Sequence, residues 1–182
     1  MDIVERAKNI LLTPAAEWPV IAGETTSVEA IYRGYVVYLA AIPPVAAFVG
    51  LSLLGPFAPF GTLAWAAATY VLALFVVYVI AIIINALAPS FGGTPNFLAA
   101  FKLAAYSMTA AWVAGIFSLV PIIGILGFLL SLYSIYLFYV GVPVLMRSPP
   151  ERSLIYTVAV VVCGAVVRFV ASWILLRLFL SR

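Results

Sequence analysis

The sequence has no histidine, a single cysteine and few charged residues. Its 182 residues include six acidic and nine basic side chains, and charged residues make up only 8% of the chain. Most metal ligands and many general bases are histidine, cysteine or carboxylate side chains, so this composition weighs against metal centres and acid–base catalysis. Cys163 has no partner for a disulfide within one chain. We therefore predict a protein that is not an enzyme, with no catalytic residue, no metal site and no cofactor.

Apolar residues dominate the chain instead. They make up 66% of it, and the mean hydropathy is +1.24, whereas about a quarter of residues are charged in a soluble protein. Five apolar runs are long enough to cross a hydrocarbon core of about 30 Å, which requires about 20 helical residues. A lipid-facing barrel would alternate apolar and polar residues, and residues 71–87 do not. We predict an all-α polytopic membrane protein, a bundle of five transmembrane helices spanning residues 31–54, 62–88, 97–119, 121–146 and 153–180.

A shorter amphipathic helix precedes the first run. We divide the chain into a cytoplasmic or interfacial N-terminal segment, residues 1–26, and a five-helix transmembrane domain, residues 27–182. The helix either lies in the plane of the headgroups or docks on the cytoplasmic mouth of the bundle, and its mixed charge favours docking. Glu17 and Trp18 follow it, and we expect them at the membrane interface, where tryptophan serves as an anchor.

Basic residues near the ends of the runs predict the orientation, because lysine and arginine are retained on the cytoplasmic side. The N-terminal side has six of them and the opposite side has two. We expect a cytoplasmic N-terminus and an exterior or lumenal C-terminus. The basic residues counted are Arg6, Lys8, Arg33, Lys102, Arg147 and Arg152 against Arg177 and Arg182.

Two sets of residues have predicted structural roles. Pro43 and Pro44 lie near the middle of the first run and lack amide hydrogens, so the helix should kink there and free the carbonyls of Leu39 and Ala40. Small residues recur along the fourth run, where they allow close approach of helix backbones, and we interpret them as the central packing face of the bundle. These small residues are Gly124, Gly127, Ser131, Ser134 and Gly141.

The loop between the second and third runs contains Gly92 and Gly93 and leads to Lys102. A phosphate loop of the Walker type requires a lysine followed by serine or threonine at a fixed spacing, which is missing here. The favoured interpretation is a plain turn, with Thr94 as the helix cap and Lys102 extending to the cytoplasmic headgroups. The alternative is a site for a lipid or another anion at the helix N-terminus.

Arg168 lies within the fifth run, where an arginine costs about 2.5 to 3.5 kcal/mol even on the lenient insertion scale. Its helical neighbours are small, which favours a position facing other helices, and no acidic residue lies inside a run to pair with it. One hypothesis has its guanidinium bound to the carbonyls freed by Pro43 and Pro44 or to a tyrosine of the fourth run. The other has Arg168 within reach of the outer headgroups.

Three stretches together resemble a known family. They are "VERAKNILLTPAAEWPVIAGE" at 4–24, "GGTPNFLAAFKLAAYSMTAAW" at 92–112 and "SLYSIYLFYVGVPVLMRSPPERSLIYTV" at 131–158. The chain is identified by them as similar to the bacterial branch of the Yip family, the Ypt/Rab-interacting five-pass membrane proteins. The resemblance implies a membrane protein without catalytic activity. Its bacterial branch implies an integral protein of a bacterial inner membrane, with a cytoplasmic N-terminus and a periplasmic or exterior C-terminus. In eukaryotes such proteins bind prenylated Rab GTPases, and we do not expect a small GTPase as the partner of a bacterial chain.

Our leading hypothesis is a membrane scaffold that acts through contacts with protein and lipid. We expect membrane lipids and further copies of the chain or other membrane proteins as partners, and no nucleic acid, because the basic residues are scattered. The competing hypothesis is a small transporter, channel or lipid-moving protein. Its polar path would be lined by Lys102, Tyr106, Asn85 and Arg168.

Overall fold

The computed structural model describes residues 2–54, 59–120 and 123–180, and the described elements are helices. The α-helices are α1 (Ile3–Leu12), α2 (Pro14–Gly23), α3 (Val28–Ile31), α4 (Val37–Leu39), α5 (Ile42–Leu54), α6 (Pro59–Leu87), α7 (Phe97–Ser107), α8 (Thr109–Ala114), α9 (Gly124–Ser131), α10 (Tyr133–Leu145) and α11 (Pro150–Leu180). A π-helix covers Tyr32–Val36, and 3-10 helices cover Ala88–Phe91 and Gly115–Leu119.

Five helical segments are long and apolar enough to cross a membrane, which confirms the predicted fold class. We call them the first to fifth spans, and they are Val28–Ser52, Gly61–Phe91, Phe97–Leu119, Ile125–Leu145 and Pro150–Arg177. The third span lies at the centre, since 67% of its most apolar stretch is buried, against 6% for the fifth span. Residue 121, where the fourth predicted span begins, and Arg182, which was counted for the orientation, lie outside the described residues.

The proline pair interrupts the first span. The helix turns at Ala40 and Ala41 and begins again as α5, so Pro43 and Pro44 occupy the first turn of a new helix. In that position a missing amide hydrogen costs no intrahelical hydrogen bond. The break also brings two spans together, because a Cβ added to Gly115 would lie 2.4 Å from Cγ of Pro43. Only glycine allows this approach of the third span to the kink.

The small residues of the fourth span lie against different neighbours. A Cβ on Gly127 would be 2.9 Å from the Ala114 carbonyl oxygen, and Ser134 accepts a hydrogen bond from the Ala111 amide at 3.0 Å. Both contacts are with α8. Ser131 instead donates to its own helix, at the Phe128 carbonyl oxygen. Gly124 is the first residue of α9.

The N-terminal helices α1 and α2 pack against the bundle through one face of each. The Tyr133 hydroxyl donates to the Leu11 carbonyl oxygen at 3.0 Å, and the Trp18 indole donates to the Leu137 carbonyl oxygen at 3.1 Å. Tyr133 and Leu137 lie about 18 Å and 12 Å along α10 from its end at Leu145, at 1.5 Å per residue. We call α1 and α2 together the N-terminal hairpin.

The predicted interfacial positions of Glu17 and Trp18 are therefore wrong. Trp18 is completely buried, and Glu17 is 6% exposed. The indole ring lies against Gly141, where an added Cβ would be 2.7 Å from the Trp18 ring and 2.6 Å from Cδ1 of Leu103. The missing side chain at Gly141 is what leaves space for the tryptophan between the third and fourth spans.

Candidate functional site

Lys102 lies at the contact between the third span and the N-terminal hairpin. Its ammonium donates to the carbonyl oxygens of Ile21 and Glu24, at 2.7 Å and 2.9 Å. These carbonyls belong to the C-terminal end of α2, where the helix dipole is negative and several carbonyls have no intrahelical partner. Lys102 is 4% exposed. The expectation that it extends to the headgroups is wrong, because the helix end provides the closer negative charge.

Arg6 provides the second buried cation of the site. The amphipathic helix α1 turns this residue inward, so that it is 4% exposed while Val4 on the same helix is 68% exposed. The guanidinium forms ion pairs with Glu17 and Glu24 and lies over the Tyr106 ring, 5.6 Å from its centroid. Glu17 of α2 is thus a buried partner of Arg6, and Glu24, the residue that follows α2, is a partner that is 33% exposed.

Three hydroxyl-bearing residues continue the site across the first and third spans. The Tyr35 hydroxyl lies 2.7 Å from Oγ1 of Thr109, which donates to the Tyr106 carbonyl oxygen at 2.7 Å. The Thr109 hydrogen is used in that bond, so Tyr35 donates to Thr109. The Tyr35 and Tyr106 rings also meet edge to face, with centroids 4.8 Å apart. Both tyrosines face the N-terminal hairpin.

A cavity of about 470 Å³ opens beside this cluster. Arg6, Glu24, Tyr35 and Tyr106 contribute to its wall, together with Gly34 in the π-helix of the first span. A π-helical turn widens a helix locally, and such turns are frequent at functional sites. Here the turn places Tyr35 toward Thr109. We take this region as the candidate functional site and call it the polar cluster. Its members are Arg6, Glu17, Glu24, Tyr35, Lys102, Tyr106 and Thr109.

The charged groups of the polar cluster neutralise one another within the protein. Arg6 and Lys102 carry two positive charges, and Glu17 and Glu24 carry two negative charges. Each of these four groups has a partner within the protein. Buried charges are tolerated when they are paired in this way, and removing one partner leaves the other charge buried without a countercharge. The cluster therefore joins the N-terminal hairpin to the third span, and Tyr35 joins the first span to the third.

The loop of Gly92 and Gly93 joins two turns at the same end of the bundle. The Thr94 amide donates to the Met146 carbonyl oxygen at 2.8 Å, and Ser148 donates to the Phe91 carbonyl oxygen at 3.0 Å. Gly92 has φ of 73°, which favours glycine. A Cβ on Gly93 would lie 2.9 Å from the Met146 carbonyl oxygen. The glycines permit close packing of the two loops.

The predicted helix cap at Thr94 is wrong. Asn96 is the N-cap of α7, and its side chain accepts a hydrogen bond from the Ala99 amide at 3.1 Å. Thr94 is held by the neighbouring loop instead. Lys102, the cation predicted to accompany an anion at this helix end, points to α2, so the structure does not bring it together with Gly92 and Gly93.

Asn85 and Arg168 do not join the polar cluster. Arg168 is exposed on the outer surface of the fifth span, and this contradicts the hypothesis that it bonds the carbonyls near Pro43 or a tyrosine of the fourth span. Its span is the least buried of the five. Asn85 lies on the second span, and its side-chain oxygen is buried without a hydrogen-bond partner in the described part of the chain. Only Lys102 and Tyr106 of the proposed polar path come together.

Sequence reasoning overlooked Arg6, Glu17, Glu24, Tyr35 and Thr109 as members of one site. Five of the six acidic residues precede the first predicted span in the sequence, so no local pattern pairs them with a residue of a span. A signal was present in α1, whose apolar face also carries Arg6 next to Ala7 and Ile10. Hydrophobic periodicity alone could not identify the inward-facing arginine, because its partners are 11 and 18 residues away.

Comparison with known proteins assigns a family. The Yip1 domain matches residues 8–172, which is most of the chain. The chain belongs to the Yip1 domain family. The matched range includes the second helix of the hairpin, all of the polar cluster except Arg6, and four complete spans. No curated protein and no solved structure matches the chain. This Yip1-domain chain is thus an integral membrane protein of the Yip family.

Proposed function

We propose that this Yip-family protein is a non-enzymatic membrane scaffold, which organises the bilayer through lateral contacts with lipids and with other copies of itself. The observation that supports this function is the large apolar surface of its outer spans. Only 22% of the most apolar stretch of the fourth span and 6% of that of the fifth are buried. The remainder is available to neighbours in the membrane.

Part of the exposed surface of the fifth span forms an apolar stripe. Val158, Val162, Val166, Phe169 and Trp173 are all exposed, and their spacings of four, four, three and four residues place them on one face of α11. Apolar stripes of this kind suit contact with acyl chains or with the same stripe of another copy. A symmetric dimer would bury one such face from each copy.

The competing transport function receives no support from the arrangement of polar groups. The cavity is lined by residues of the N-terminal segment and of the start of the first span, and Tyr106 is the one lining residue from the third span. Farther along the first span, a Cβ on Gly50 would lie 2.2 Å from the Leu119 carbonyl oxygen. Backbones packed this closely leave no room for a path between these spans.

The location proposed for this scaffold is a bacterial inner membrane, with the N-terminus in the cytoplasm. The excess of basic residues on the N-terminal side supports that orientation. In cells, single cysteines at Glu151 and at Arg177 would be tested with a reagent that does not cross membranes. Labelling of the Glu151 position from outside would reverse the proposed orientation.

Reconstitution into liposomes tests the scaffold function. Copies carrying Cys163→Ser and Glu151→Cys are labelled with donor and acceptor dyes, and we expect energy transfer that persists on dilution into lipid. Phe169→Ala should reduce it, since Phe169 is 71% exposed on the stripe. Val4→Ala, an exposed change in the N-terminal hairpin, is the matched control and should leave it unchanged. Transfer that falls to the level of random encounters would contradict self-association.

The same liposomes measure transport. We expect neither ion flux nor lipid scrambling above that of protein-free vesicles, and no difference between the wild type and Arg168→Leu. Flux or scrambling above that of protein-free vesicles would favour a transporter over a scaffold.

A further inference from the structure

A second cavity lies on the outer surface of the bundle, away from the polar cluster. It is a groove of about 650 Å³ between the first and second spans, with four lining residues from each. That volume is within the range of about 300–1,000 Å³ that is usual for small-molecule sites. The wall is apolar along the second span, where Val71, Leu74 and Phe75 contribute to it. We call it the lateral groove.

The lateral groove opens toward the bilayer. Both of its walls belong to membrane spans, and Val71 and Phe75 are 65% and 61% exposed. From Tyr78 to Val71 the groove follows α6 for about 10 Å, at 1.5 Å per residue. An apolar channel that runs along a span and is open to the side matches the shape of an acyl chain.

One end of the lateral groove is charged. Glu29 and Arg33 line it within the first two turns of the first span, and their side chains form an ion pair of 3.0 Å. These turns lie at the start of a span, where lipid headgroups are found. Arg33 and Glu29 side chains are 79% and 69% exposed. The pair uses one of the five N–H donors of the guanidinium and one carboxylate oxygen, so both groups retain capacity for a ligand.

We propose that the lateral groove binds a phospholipid whose headgroup carries a phosphate and a primary ammonium, as in phosphatidylethanolamine. The phosphate contacts Arg33, the ammonium contacts Glu29, and an acyl chain follows Val71 and Phe75. Charge complementarity selects this headgroup. A headgroup with the phosphate alone, as in phosphatidylglycerol, places its negative charge beside Glu29 without an ammonium to offset it. This inference deepens the proposed function by naming a lipid that the scaffold holds.

Native mass spectrometry of the detergent-purified full chain tests this site. Phosphatidylethanolamine and phosphatidylglycerol are added at equal concentrations, and we expect up to about fivefold stronger binding of the first, since a charge pair at an exposed carboxylate is worth about 0–1 kcal/mol. Glu29→Gln should abolish the preference between the two lipids. Arg33→Gln should weaken the binding of both.

The controls separate the groove from the rest of the surface. Val71→Trp should fill the groove and reduce the binding of both lipids, while Arg177→Gln, a change of an arginine at the far end of the fifth span, should have no effect. Each variant must match the wild type in circular dichroism and elution volume. Glu29→Gln and Arg33→Gln alter exposed residues, so we expect both variants to fold like the wild type. Equal binding of the two lipids by the wild type, or an unchanged preference in Glu29→Gln, would overturn the proposal. Lipid binding is read independently of energy transfer, so its failure would leave self-association standing.

Discussion

Replacing Arg6 with glutamine is expected to lower the free energy of unfolding by about 3–5 kcal/mol, the usual cost of breaking a buried ion pair on one side. The guanidinium pairs with Glu17, and the two side chains are 5% and 7% exposed. Glutamine would leave the Glu17 carboxylate buried without its countercharge. Denaturation of the purified protein in mixed micelles, followed by circular dichroism, measures the change.

Two further variants sharpen this test. Arg33→Gln removes an arginine from an exposed ion pair with Glu29, and it should cost only about 0–1 kcal/mol. The double variant Arg6→Met, Glu17→Leu removes both members of the buried pair, and it should recover most of the lost stability, because hydrophobic replacement of a whole pair is often close to neutral. Equal losses in Arg6→Gln and Arg33→Gln would show that the buried pair does not hold the N-terminal hairpin.

Replacing Trp18 with alanine is the second change with a large expected effect. The side chain is completely buried between the third and fourth spans, and truncation of a buried tryptophan costs about 3–5 kcal/mol. Loss of this anchor should also release the N-terminal hairpin. We expect trypsin to cleave the variant after Lys8 at a protein concentration and time that leave the wild type intact.

A milder substitution divides the contribution of Trp18. Trp18→Phe retains a large ring but loses the hydrogen bond to the Leu137 carbonyl. Its loss of unfolding free energy should therefore be smaller than that of Trp18→Ala, by about 1 kcal/mol or more. Trp173→Ala is the matched control, since that tryptophan is half exposed on the fifth span. Equal effects of Trp18→Ala and Trp173→Ala on stability and on cleavage would show that Trp18 does not hold the N-terminal hairpin.

The five spans could be predicted from the sequence because membrane insertion depends on local properties. A run of about 20 apolar residues supplies its own hydrogen bonds as a helix and needs no particular neighbour to be stable in hydrocarbon. The break at Pro43 and Pro44 was predictable for the same reason, since a proline acts on its own helix turn. These features were read from short windows of sequence.

The candidate site could not be predicted in this way. Lys102 was expected to extend to the headgroups, and the carbonyls that it contacts lie 78 and 81 residues away in the chain. Tryptophan is a residue type that often anchors a protein at the membrane interface. At Trp18, however, the absence of a side chain at Gly141 leaves space for the indole ring between the third and fourth spans. Both outcomes depend on which surfaces meet, which no local pattern contains.

Arg168 illustrates the opposite error. Its small neighbours suggested a helix interface, but the fifth span packs mainly through its first half, where Tyr156 donates to the Ile84 carbonyl oxygen. Beyond that point the span is largely exposed. Small residues permit close packing without requiring it.

The sequence by itself determined that this protein is embedded in a membrane, how many spans it has and where the first span breaks. These features depend on the apolar residues of single helices and on the amide hydrogens that proline lacks, and both act within one helix. Only the tertiary structure decided that the N-terminal hairpin packs against the bundle with Arg6 and Glu17 on its buried face. A buried charge is stable only beside its partner, and here the partners are brought together by the packing of α1, α2 and the third span.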